Sequence, residues 1–175
     1  MESQRIEVNG IRMGVTLDGE ARDQRQTLVL LHGFTGRAAG WSDLFPLLAA
    51  PGRQLIALDM LGHGQSDAPA DPERYTIEHC QADILAVLEQ LGVRRYEAVL
   101  LGYSMGGRIA LYTAFSGFFK ALILESASPG LPDPVEREQR LQSDQALAAR
   151  IEREGVATFI DSWEKLPLFA SQHSL

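Results

Sequence analysis

The chain has 175 residues, 45% hydrophobic and 22% charged, with a mean hydropathy of −0.08, which fits a globular domain and excludes a fibrous or low-complexity chain. The 16 basic and 23 acidic residues leave a net charge of −7, so nucleic acid is not an expected partner. No apolar run approaches the roughly 18 residues of a membrane span, and no membrane partner is expected.

In chain order, Ile6-Glu7-Val8, Asn9-Gly10 and Ile11-Arg12-Met13 predict a hairpin. Polar and apolar residues alternate on either side of a dipeptide that tolerates positive φ. Glu20 to Gln26 reads as a polar loop. Short uninterrupted apolar runs follow. Thr27 to Leu31 ends in His32-Gly33, Gln54 to Leu58 in Asp59, Glu97 to Leu101 in Gly102, and Ala121 to Leu124 in Glu125. Runs of this kind are strands buried on both faces.

Helical stretches separate them. Thr76 caps one whose Ile77, Cys80, Ile84, Val87, Leu88 and Leu91 share a face, and Gly92 is placed to end it. Ser104 to Ser116 is a second. The alternation predicts an α/β fold, a mostly parallel sheet with helices on both faces. After Ser128, Pro129, Pro132 and Pro134 stiffen the chain. A charged amphipathic helix over Val135 to Glu154 follows, then a shorter one from Val156 to about Lys165. The expected division is a core over 1–128 and a helical cap segment over 129–175, with no buried strand after Leu124. Met1 to Val8 is polar and has no signal-peptide core. Cys80 is the only cysteine, which rules out an intrachain disulfide. Both features favour a cytoplasmic address.

The strongest chemical signal is Gly102-Tyr103-Ser104-Met105-Gly106, which closes a buried strand and opens a helix. In that context G-x-S-x-G is a nucleophile elbow, a sharp turn that presents the serine. Residues two before and two after the serine must be small, or they would collide across the turn. The Met105 N–H and the helix N-terminus face any anion formed beside Ser104. His32-Gly33-Phe34-Thr35-Gly36 ends the first buried strand. Phe34 is the candidate second N–H donor of an oxyanion hole with Met105.

Asp59-Met60-Leu61-Gly62-His63-Gly64 reads as a tight turn, with His32 and His63 structural. His79 is placed on the outer side of its helix. His32, His63 and His79 are not spaced as metal ligands, and no metal is expected. No phosphate-binding glycine motif occurs, and no cofactor is expected.

These motifs resemble the α/β-hydrolase superfamily. Arg108 after the double glycine, Ser128-Pro129-Gly130-Leu131, Arg137, Arg140, Ser143-Asp144 and Trp163-Glu164-Lys165-Leu166-Pro167-Leu168-Phe169 narrow the likeness. They resemble the 2-succinyl-6-hydroxy-2,4-cyclohexadiene-1-carboxylate synthases, pyruvate-eliminating lyases of menaquinone biosynthesis. The resemblance implies a small multi-carboxylate substrate and proton abstraction by Ser104, activated by a histidine. It implies Tyr103, Arg108, Arg140 and Trp163 as substrate-binding residues, arginine being suited to bidentate carboxylate binding. Without the resemblance, Arg140 is a solvated charge and Trp163 a core anchor.

The resemblance also implies an acid and a histidine beyond a further pair of strands. Only His173 follows Ser104, in a polar tail, and Glu125 at a strand end has no histidine partner. The expectation is therefore a fragment, truncated or completed by a second chain, with Ala121 to Leu124 left as an exposed sheet edge. An esterase or C–C hydrolase of the same superfamily, and an inactive remnant or binding module, remain open alternatives.

Overall fold

The structure is a computed structural model and describes residues 1–19, 26–167 and 169. Most of the loop expected over Glu20 to Gln26 lies outside the described residues, as do His173 and Leu168. The chain divides into two compact units, Met1–Pro129 and a second beginning at Gly130.

The first unit is built on a six-stranded sheet. Strands β1 (Glu2–Val8) and β2 (Ile11–Asp18) form the hairpin. Val8 pairs with Ile11, and Asn9 and Gly10 both have positive φ, 49° and 78°. That is the turn whose twist matches the flanking strands. The remaining strands are β3 (Gln26–Leu31), β4 (Arg53–Leu58), β5 (Ala98–Tyr103) and β6 (Ala121–Glu125). Their order across the sheet is β1-β2-β4-β3-β5-β6. β2 meets β4 antiparallel, while β3 to β6 pair parallel. Three of the four apolar runs, β4, β3 and β5, therefore lie at the centre, with the alternating hairpin on one side and β6 on the other. β6 is exposed rather than buried on both faces, because among the described residues only β5 pairs with it.

Helices cover both faces. α1 (Phe45–Leu48) and the 3-10 turn Ala38–Trp41 lie on one. There Trp41 and Phe45 pack with Leu28, Leu30, Leu55 and Ala57. α2 (Ile77–Gln90) and α3 (Met105–Ala114) lie on the other. Ile84, Val87, Leu88, Ile109 and Ala110 pack there with Val29, Leu31, Ile56, Leu58 and Leu100. Each fully buried aliphatic side chain contributes about 1.5–3 kcal/mol. Gly92 ends α2 at φ 75°. Its N–H bonds Glu89 at 3.0 Å and that of Val93 bonds Leu88 at 2.9 Å, the paired closure of a Schellman motif.

In the second unit, α4 (Pro134–Glu154) starts on Asp133, whose carboxylate accepts the Val135 N–H at 2.7 Å. Arg140–Asp144 and Arg150–Glu154 are (i, i+4) ion pairs on it. α5 (Val156–Trp163) follows Gly155. Arg150 ties the helices together by donating to Ser162 Oγ at 2.7 Å and lying over the Phe159 ring. No helix among the described residues is long and apolar enough to cross a membrane.

Candidate active site

The site begins where β5 becomes α3. Ser104 has φ 53° and ψ −113°, a backbone conformation costly for a residue with a side chain. Packing enforces it. A Cβ on Gly102 would lie 2.3 Å from the Gly106 carbonyl oxygen, and one on Gly106 would lie 2.4 Å from that of Leu31. Both glycines are therefore required by close backbone approach. The Ser104 N–H is anchored by the Glu125 carbonyl at the end of β6, at 2.9 Å. Ser104 is half-buried, and its Oγ has no hydrogen-bond partner among the described residues. Met105 is the first residue of α3, so its N–H belongs to the unsatisfied, electropositive end of the helix.

The loop after β3 abuts the serine. A Cβ on Gly33 would lie 3.5 Å from Ser104 Cβ and 3.0 Å from the Tyr103 ring. The Gly33 carbonyl is held by His32 Nδ1 at 2.7 Å and by the Gly36 N–H at 2.9 Å. In a trans peptide the N–H points opposite to the carbonyl. Fixing Gly33 C=O therefore fixes the direction of Phe34 N–H.

His32 is structural, as its sequence context suggests. It is 3% exposed, and its Nε2 accepts the Met60 N–H at 3.0 Å. Burial, reinforced by the neighbouring His63, pulls its pKa from 6.5 down to about 4 against the opposing effect of the Gly33 bond. The ring is therefore neutral near pH 7, with its one proton on Nδ1.

His63 is engaged too, with Nε2 2.7 Å from the Phe34 carbonyl oxygen and Nδ1 3.1 Å from that of Leu61. His79 sits on the exposed side of α2, its Nδ1 2.9 Å from Thr76 Oγ and 2.8 Å from the Glu73 carbonyl. None of these histidines bonds Ser104, and His173 lies outside the described residues. Glu125 is exposed at the end of β6, reaching Ser104 through its backbone alone. No group of histidine, cysteine or acidic residues suited to a metal occurs among the described residues.

Asp59 does more than its position in a glycine-rich turn foretells. Its carboxylate accepts from Ala38 N at 2.6 Å and from Gln65 N at 2.8 Å. It thereby joins the loop after β3 to the loop after β4. The sequence signal for this is an acidic residue at a buried strand end.

The structure brings Tyr103, Ser104, Met105, Phe34 and Arg108 to one end of the parallel strands. Arg108, one turn into α3, is exposed and has no ion-pair partner among the described residues. Arg140 and Trp163 belong to the second unit. Arg140 holds both carboxylate oxygens of Asp144 at 2.8 Å. Trp163 packs between Phe159 and Phe169, with ring centroids at 5.3 and 6.3 Å.

The profile of the α/β hydrolase fold family matches residues 26–172. Among individual proteins, one of Bacillus subtilis, provisionally named 2-succinyl-6-hydroxy-2,4-cyclohexadiene-1-carboxylate synthase, is 39% identical over 95% of this chain and 60% of its own. The synthase of that name from Serratia proteamaculans is 38% identical over 90% of this chain and 59% of its own. In solved structures, MenH from S. aureus superposes on 92% of this chain and 60% of its own, with a TM-score of 0.80 and 32% identity. This chain thus spans about 60% of the length of the relatives it matches.

Proposed function

The chain belongs to the α/β hydrolase fold family, and from that premise we propose that the protein is a lyase of menaquinone biosynthesis. It eliminates pyruvate from a multi-carboxylate cyclohexene substrate to give 2-succinyl-6-hydroxy-2,4-cyclohexadiene-1-carboxylate. The names of its relatives support the reaction. The observation that carries the substrate class is Arg108, an exposed guanidinium one turn behind a strained serine and without a carboxylate partner among the described residues. A cation near a helix N-terminus opposes the dipole. Binding an anionic substrate group offsets that cost, whereas a neutral ester does not.

In this reading Ser104 Oγ takes part in removing a proton from a ring carbon, activated by a histidine and an acid other than the described residues. The electrons freed from the C–H bond form the new ring double bond, and the C–O bond to the pyruvate-derived group breaks with its electron pair leaving on that oxygen. The departing enolate takes up a proton to become pyruvate. Charge developing on the substrate is met by the N–H groups of Phe34 and Met105. As the resemblance implies, Tyr103 and Trp163 contact the substrate, and Arg108 and Arg140 grip its carboxylates by paired N–H bonds. Arg140 can be recruited at little cost, because its pairing with Asp144 is solvent-exposed and such pairs are worth at most about 1 kcal/mol. No cofactor takes part.

The test is pyruvate release by the full chain on the multi-carboxylate substrate, beside hydrolysis of p-nitrophenyl acetate. Release is expected, abolished by Ser104→Ala and reduced mainly through KM by Arg140→Ala. Ester hydrolysis without pyruvate release supports an esterase instead, since the same elbow and oxyanion donors serve acyl transfer. Full activity in Ser104→Ala removes the serine from the mechanism.

A further inference from the structure

Phe34 lies between two peptide units, and each is held from behind by an imidazole. The Gly33 carbonyl, in the unit that contains Phe34 N–H, faces His32 Nδ1 at 2.7 Å. The Phe34 carbonyl, in the next unit, faces His63 Nε2 at 2.7 Å. The two rings are 5.0 Å apart. A residue has only two soft backbone dihedrals. Fixing the peptide plane on each side of Phe34 therefore fixes both of them.

His63 is itself braced. Its N–H donates to Met60 O at 2.9 Å, its carbonyl accepts from Ser66 at 3.0 Å, and Gly62 N–H bonds Asp67 O at 2.9 Å. A carbonyl oxygen only accepts, so a hydrogen bond to it needs an N–H on the ring. Of the two carbonyls that its ring faces, Phe34 is nearer, at 2.7 Å against 3.1 Å for Leu61.

We propose that His63 is a positioning residue of the oxyanion loop, its Nε2–H holding the Phe34–Thr35 peptide so that Phe34 N–H keeps its aim. This rests on the reading of Phe34 as an oxyanion donor. His63 touches no reacting atom and acts only through the loop.

The test compares His63→Gln, His63→Asn and His63→Leu in the full chain. A glutamine amide reaches about as far as Nε2, an asparagine amide only as far as Nδ1, and leucine donates nothing. Amide hydrogen exchange at Phe34, Thr35 and Gly36 reports the loop without any catalysis. Exchange is expected to quicken about five- to tenfold in the asparagine and leucine variants, the worth of one hydrogen bond, and to stay near wild type in the glutamine variant. On the elimination reaction, kcat should follow the same order while KM holds.

Equal exchange in all variants overturns the proposal. So does a glutamine variant as impaired as leucine, which would mean that His63 acts by packing alone. If leucine does not fold, the glutamine–asparagine pair still decides. If the wild-type protein releases no pyruvate but exchange follows the expected order, the lyase reading fails and the bracing by His63 stands.

Discussion

Ser104 and Glu125 are joined by a backbone hydrogen bond of 2.9 Å between the end of β5 and the end of β6. The residue in the least favourable conformation of the site is thus tethered to the neighbouring strand. Gly102 and Gly106 close around it. Strain persists only where the surroundings over-determine it, and here sheet and helix both do.

Replacing Ser104 by glycine should therefore relax the turn. We expect Ser104→Gly to be about 1 kcal/mol more stable than Ser104→Ala, because glycine tolerates φ 53° and part of the gain is lost to its freer unfolded state. Urea unfolding of the two variants measures this. Equal midpoints would show that the backbone is not strained at Ser104.

His32 predicts the acid sensitivity of the fold. Its pKa is about 4 in the folded chain against 6.5 ordinarily. Between those values the unfolded chain binds a proton that the folded chain does not, so stability falls as pH drops from 6.5 to 4 and the effect is complete below 4. About 3 kcal/mol is lost over that window. His32→Asn keeps a donor near the Gly33 carbonyl but cannot titrate. Its unfolding free energy should lack this part of the pH slope. Parallel pH profiles for the two proteins would count against it.

A buried ion pair holds α2 to the 3-10 turn Pro72–Tyr75. Arg74 reaches both oxygens of Asp83, at 3.0 and 2.8 Å, and Asn9 donates to the same carboxylate at 2.9 Å. Asp83 is 2% exposed. Asp83→Ala should cost about 3–5 kcal/mol, since it leaves the guanidinium unpaired. Asp83→Leu with Arg74→Met should recover most of that loss. A single-variant loss below about 1 kcal/mol would place the pair among ordinary surface bridges.

β6 pairs only with β5 among the described residues, and Ile123 and Leu124 are 47% and 40% exposed. An apolar edge with unpaired N–H and C=O groups invites association. The 175-residue chain should bind a hydrophobic dye and associate at micromolar concentration, and Ile123→Lys should reduce both. A monomeric chain that binds no dye would show that this edge is protected.

Much of this fold was legible in the residues. The runs at Thr27, Gln54, Glu97 and Ala121 became parallel strands because short, wholly apolar segments have one low-energy use in an α/β domain. Asn9-Gly10 made its hairpin and Gly92 its helix end, since these positions need positive φ. The 3-10 turn Ala38–Trp41 and α1 were not legible. They are short, and Trp41 and Phe45 acquire a face only when β3 and β4 lie beneath them. Arg74–Asp83 and His63–Phe34 were equally hidden, because pairs separated by loops have no period.

The sequence alone determined the strands and the longer helices, the elbow at Ser104 and the family, because these follow from local rules: the period of the apolar residues, small residues at a sharp turn, and motif order. Only the tertiary structure decided which groups are committed to the scaffold. It buried His32 in neutral form, set His63 against the Phe34 carbonyl, split the Asp59 carboxylate between two loops, and left Arg108 unpaired among the described residues. Those outcomes depend on desolvation and on distances across the sheet, which are set when strands remote in the chain pack together.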